Sequence, residues 1–128
     1  MAHLHVFTRY IDALASGDLE ALAAVFTDDV VWHQPGAHRF SGTRRGTADV
    51  FSLLAAMAQH SDGSLRVDAE SAMENGDLIA ATVRFSASRG DARIEMSGVD
   101  LFRVSDDRIA EVWLFSSDQS AEDDFWNL

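Results

Sequence analysis

MSGVDLFRVSDDRIAEVWLFS, residues 96–116, is the stretch whose reading decides the fold. Apolar and polar residues alternate on either side of Ser105-Asp106-Asp107, the pattern of two strands joined by a tight turn. Upstream, Arg89-Gly90-Asp91 and Asn75-Gly76 are further turn signals, and Asn-Gly is the strongest of the two-residue kind. The strands so delimited, 65–73, 78–88, 92–104 and 108–116, follow one another closely, which forces an antiparallel meander.

Toward the N-terminus the period changes from two to three and four. Leu4, Phe7, Ile11 and Leu14 form the stripe of a helix over 3–16, stopped at Gly17. Asp18 is a good cap for a second helix with stripe Leu19, Leu22, Ala23 and Phe26, ended by Asp28-Asp29. A short strand over 30–34 closes at Pro35-Gly36, and 37–46, with three arginines and two glycines, reads as a loop. Thr47 can cap a third helix over 48–60, broken by Ser61-Asp62-Gly63. Three helices followed by a curved sheet make an α+β domain spanning 1–128, its helices covering one face of the sheet. A pocket is expected where the bent sheet meets the helices. Trp32, Trp113 and Phe115 bring more apolar area than three helices can cover, so a homodimer through the outer sheet face is expected.

At 128 residues the chain is the size of one domain, and 47% hydrophobic residues with one proline exclude disorder. Twenty-one acidic against ten basic residues give a net charge of −11, which repels phosphates and anionic lipid, so neither nucleic acid nor membrane is an expected partner. All ten basic residues are arginine, a bias that fits a GC-rich bacterial gene. There is no cysteine, hence no disulfide framework and no thiolate chemistry. The start, Met1-Ala2-His3-Leu4-His5, lacks a basic region followed by an apolar run, and a cytoplasmic location is expected.

Signatures of dinucleotide, P-loop, zinc-protease and serine-hydrolase sites are missing from the sequence. His33, His38, Asp100 and Asp118 are metal-ligand types, but the histidines sit five apart across a proline turn, so neither metal nor cofactor is expected. His3, His5 and His60 lie near helix ends or the terminus and read as surface residues.

The candidate chemistry lies elsewhere. Strand alternation puts Asp100 on the apolar face of Met96, Gly98, Phe102 and Val104. A carboxylate there is costly unless protonated or paired, so burial raises its pKa, and a protonated acid can donate to a developing oxyanion. A structural pairing of Asp100 with Arg84 is the alternative. Tyr10, within the stripe of the first helix, is either core packing or a second donor. In the first strand Val30, Trp32 and Gln34 share one face and Val31 and His33 the other. His33 is expected to face the pocket as the proton carrier, leaving Trp32 on the outer side. Parity along the last strand places Asp118 with Val112, Leu114 and Ser116, a second acidic candidate at the pocket rim.

RYIDALASGDLEALAAVFTDDVVWHQPG, SGTRRG, VDLFRV and RIAEVWLF together resemble the ketosteroid-isomerase and SnoaL-like polyketide-cyclase branch of the nuclear transport factor 2-like superfamily, over nearly the whole chain. That resemblance implies a cone-shaped, cystatin-like barrel with a deep apolar pocket, usually dimeric and cofactor-free. It implies that Tyr10 donates to a substrate oxygen with protonated Asp100 as its partner, the role for which ketosteroid isomerase is the known example. It departs at the base: the isomerase aspartate falls on Gln34 or His33, and Asp118 is the nearest analogue of the acid used by the cyclases. The expected catalytic set is Tyr10, His33, Asp100 and Asp118. Trp32, Gln34, Phe51, Leu54, Met96, Phe102 and Leu114 are expected to contact the substrate. The implied function is cofactor-independent acid–base chemistry on a small apolar carbonyl compound, polyketide- or steroid-like. Epoxide hydrolysis with His33 or Asp118 activating water is one alternative, and a non-catalytic ligand-binding or dimerisation module is the other.

Overall fold

The computed structural model describes residues 3–128. In chain order the elements are α1 (Leu4–Ser16), α2 (Leu19–Val25), β1 (Phe26–Gln34), β2 (Gly42–Arg45), α3 (Thr47–His60), β3 (Arg66–Asn75), β4 (Leu78–Arg89), β5 (Ala92–Ser105), β6 (Arg108–Ser116) and α4 (Gln119–Trp126). The strands form one sheet in the order β2-β1-β6-β5-β4-β3. Strands β3 to β6 are the expected antiparallel meander, while β1 runs parallel to β6 and antiparallel to β2. Each hairpin closes over two residues, Gly76-Asp77, Gly90-Asp91 and Asp106-Asp107.

Local chemistry accounts for the helix ends. Gly17 takes a left-handed conformation at φ 68° and its N–H returns to the carbonyls of Ala13 and Leu14, closing α1. The Asp18 side chain accepts from the Ala21 N–H and so starts α2. Three departures from expectation have tertiary causes. Strand β1 begins at Phe26, earlier than the expected 30, because Phe26 is buried and pairs with Ile109 of β6. The arginine-rich segment contains β2, whose pairing with β1 comes from the sheet and not from its own composition. The acidic tail folds as α4, capped by the Asp118 carboxylate accepting from the Ala121 N–H.

Register shifts in β1, β3 and β5 bend the sheet. Helices α1 and α3 pack into its concavity, and Phe7, Tyr10, Phe26, Trp32 and Phe102 form a connected aromatic core between them. Among the described residues no helix is long and apolar enough to cross a membrane. Strand β6 passes close to β5 at Gly98, where a Cβ would stand 2.6 Å from the Phe115 carbonyl oxygen. Because that obstacle is backbone, Gly98→Ala should cost about 1–3 kcal/mol, read as a lowered urea midpoint with the slope unchanged.

Candidate active site

Alternation along β5 is as the sequence indicates: Met96, Asp100, Phe102 and Val104 are buried, while Ser97 and Val99 face solvent. Asp100 is 7% exposed and flanked by Ala81 of β4 and Leu114 of β6. Arg84 does not reach it. That guanidinium lies on the other face with Ser97 and Glu95. The Asp100 carboxyl has no hydrogen-bond partner among the described residues, and with Tyr10 it lines a cavity of about 100 Å³ accessible to the centre of a water molecule. Burial, reinforced by the negative charge of Glu122, pushes Asp100 up to about 7. Burial, reinforced by Asp100, holds the Tyr10 phenol well above its usual range.

Tyr10 is positioned by packing. Its ring meets Phe102 at 5.2 Å and Phe26 at 6.0 Å, both edge-on, which leaves the hydroxyl at the cavity. From β1 the inward set is Val30, Trp32 and Gln34. The Trp32 indole N–H donates to the Gln34 side-chain oxygen at 3.0 Å, leaving the Gln34 amide N–H₂ unpaired at the cavity wall.

The expectation for His33 is therefore corrected. Its side chain lies on the outer face, stacked on Trp113 with ring centroids 5.5 Å apart, and its Nε2 is 2.6 Å from Glu111. The reason is strand parity: burying Trp32 with Val30 removes more apolar surface from water than burying Val31 with His33. Trp32 is accordingly inside, not on the outer face. Asp118 is also displaced from its expected role, being an exposed helix cap that does not line the cavity. Of the expected substrate contacts, Trp32, Gln34, Leu54 and Leu114 line the cavity. Phe51 packs on Phe26, Phe102 lies behind the Tyr10 ring, and Met96 is buried away from the cavity wall.

Sequence reasoning missed Glu122. This residue of α4 is 4% exposed and lines the cavity. Ser116 donates to its Oε1 at 2.6 Å, Gln119 to the same oxygen at 3.1 Å, and the Trp126 indole N–H to its Oε2 at 3.0 Å. A signal was present in the i, i+4 pair Glu122 and Trp126, which places an acid beside the largest aromatic residue of the tail on one helix face. Among the described residues no arginine or histidine lines the cavity, whose remaining wall is mostly apolar, with Leu14, Leu54, Met57, Leu65 and Val83 among it. Among the described residues no group of three or more acidic or histidine side chains is arranged to hold a metal.

The bent open sheet wrapped on helices is the nuclear transport factor 2-like, cystatin-like fold. The chain belongs to the SnoaL-like domain family, whose model matches residues 7–112. An uncharacterized protein of Mycobacterium tuberculosis is 32% identical over 126 residues, covering 98% of this chain and 96% of the relative. A protein of unknown function with a cystatin-like fold from Xanthomonas campestris has TM-score 0.95 and 41% identity, each chain covered in full. The fold is shared with IdmH, a proposed polyketide cyclase from Streptomyces antibioticus, at TM-score 0.74 and 21% identity over 92% of this chain and 94% of that one. It is shared too with an LEH-like epoxide hydrolase of M. tuberculosis, at TM-score 0.73 and 20% identity over 90% and 82% of the two chains.

Asp100 binds its proton more tightly in the folded chain than at the ordinary carboxylate value of 3.8. Its stabilising contribution is thus complete below pH 4 and lost as pH rises to about 7. Three pH units at about 1.4 kcal/mol each set that loss at roughly 4 kcal/mol. Asp100→Asn should gain on the unaltered protein by up to about that amount between pH 4 and pH 8, measured by urea unfolding.

Proposed function

We propose that the protein is a cofactor-independent acid–base enzyme acting on small, neutral, apolar carbonyl compounds, by isomerisation or ring closure through an enolate. One observation carries this reading: a buried aspartate without counter-charge shares an apolar cavity with an unpaired phenol. Asp100 titrates near neutrality, so it is suited both to take a proton from carbon and to return one. With His33 outside the cavity, proton transfer falls to Asp100.

Two neutral donors remain for the oxygen, the Tyr10 hydroxyl and the Gln34 amide, and both suit a carbonyl that gains negative charge as its α-proton leaves. The carboxylate of Asp100 removes that proton. The enolate then recovers it from the Asp100 carboxylic acid at another carbon, or its carbon attacks a second carbonyl and closes a ring, the alkoxide so formed taking the proton back from the Asp100 carboxylic acid. The lining is mostly apolar, so the donors act in a low-dielectric site. Two carboxyl groups and no cation make the cavity unfavourable for carboxylates and phosphates, which restricts the substrate to uncharged molecules. The fold likeness to IdmH agrees with a carbonyl substrate. On the same reading a second copy covers the outer face, where Val99 and Phe115 are exposed, and sedimentation at micromolar concentration should show a dimer.

The test is a panel of polycyclic and terpenoid ketones, each paired with an analogue carrying a carboxylate. Ketones should quench Trp32 and Trp126 fluorescence, and the acids should not. With a ketone that turns over, Asp100→Asn should lower kcat by roughly 10²–10⁴-fold, Tyr10→Phe should lower it less, and His33→Ala should leave it unchanged. Full turnover by Asp100→Asn would overturn the assignment.

A further inference from the structure

Helix α4 brings to the cavity a charge that lies beyond the residues matched by the family, which end at 112. Glu122 is as deeply buried as the core around it, yet three donors from three side chains converge on it. They fill most of its oxygen lone pairs, which leaves little of the carboxyl to meet a ligand directly. The helix itself is held in place. Gln119 also donates to Asp123, and both side chains lie over Gly36, at φ 90°, where any Cβ would collide with them. Gly36, in the left-handed region and without a side chain, leaves room for Gln119 and Asp123 of α4.

We propose that Glu122 is a positioning residue of the site, a buried acid delivered by α4 that acts on the ligand through Asp100. This rests on the proton-transfer reading of Asp100. Asp100 faces two titratable groups, Tyr10 from α1 and Glu122 from α4, and β4 and β6 present it with Ala81 and Leu114. Glu122 in turn lines the same cavity as Asp100, and with Asp123 it acts on the charge of His38, which burial holds toward the neutral form. A negative charge beside Asp100 makes its carboxylate a stronger base without the charge itself taking part in the chemistry. The arrangement explains why an anion is retained in an apolar wall where a leucine would pack without desolvation cost.

Carboxyl-carbon NMR across pH, with no substrate present, reads this directly. Glu122→Gln keeps the volume and one acceptor oxygen, enough for Ser116 and Gln119 while the Trp126 indole loses its partner, and should lower the Asp100 midpoint by about one pH unit. The acidic limb of the kcat/KM profile should move down by the same amount, with KM little changed. In the unaltered protein the Glu122 carbon should show an inflection at the Asp100 midpoint, a readout that survives if the variant fails to fold. An unmoved Asp100 midpoint in folded Glu122→Gln, or no inflection at Glu122, overturns the proposal. A moved midpoint in a protein whose Asp100→Asn variant still turns over a ketone leaves Glu122 coupled to Asp100 and removes the acid–base reading instead.

Discussion

An aspartate on the apolar face of a long strand, with no cation in reach, is the constraint from which the rest of the site follows. Taking a carboxylate out of water without a partner is costly, and the protein meets that cost by favouring the neutral acid up to about pH 7. Asp100 is therefore a group whose protonation changes at the pH where acid–base work is done. The surrounding structure preserves this condition. Arg84 and Arg103, on β4 and β5 themselves, point to the outer face and pair there with Glu95 and Glu111.

Strand parity sorts the remaining candidates. On β1 the choice between Trp32 and His33 is settled by apolar area, and it carries Gln34 into the cavity and His33 out of it. What results is a cavity with neutral donors at Tyr10 and Gln34 and acids at Asp100 and Glu122, in place of a histidine-centred site. Chemistry follows from that exchange: oxygen is met by uncharged donors, and the proton is handled by a carboxyl. The outer face retains His33, stacked on Trp113 and bonded to Glu111, on the side of the sheet opposite the cavity.

Much of this was legible in the sequence because the decisive signals are local. Period-two alternation and three two-residue turns define the β3–β6 meander, and the same alternation places Asp100 on the buried face. Gly17 and Asp18 mark helix boundaries through their own backbone and side-chain chemistry. What was not legible depends on contacts distant in sequence. The Phe26 side chain fits a helical stripe until β6 offers it a pairing partner, and the arginines of β2 hide a strand that exists only as the neighbour of β1. Asp118 appears on the cavity face by extrapolating the β6 alternation, but the strand ends at Ser116 and Asp118 caps a new helix. Glu122 then occupies the space that Asp118 was expected to reach.

The protonation state of one buried carboxyl governs the chemistry of the site. Infrared difference spectroscopy between acidic and alkaline samples of the unaltered protein reads it most directly, with Asp100→Asn as the reference that assigns the band. A protonated carboxylic acid band that disappears with a midpoint near 7, and is missing in Asp100→Asn, is the result predicted. A midpoint at the ordinary carboxylate value of 3.8 would mean that Asp100 is charged and solvated at neutral pH, and would contradict the account.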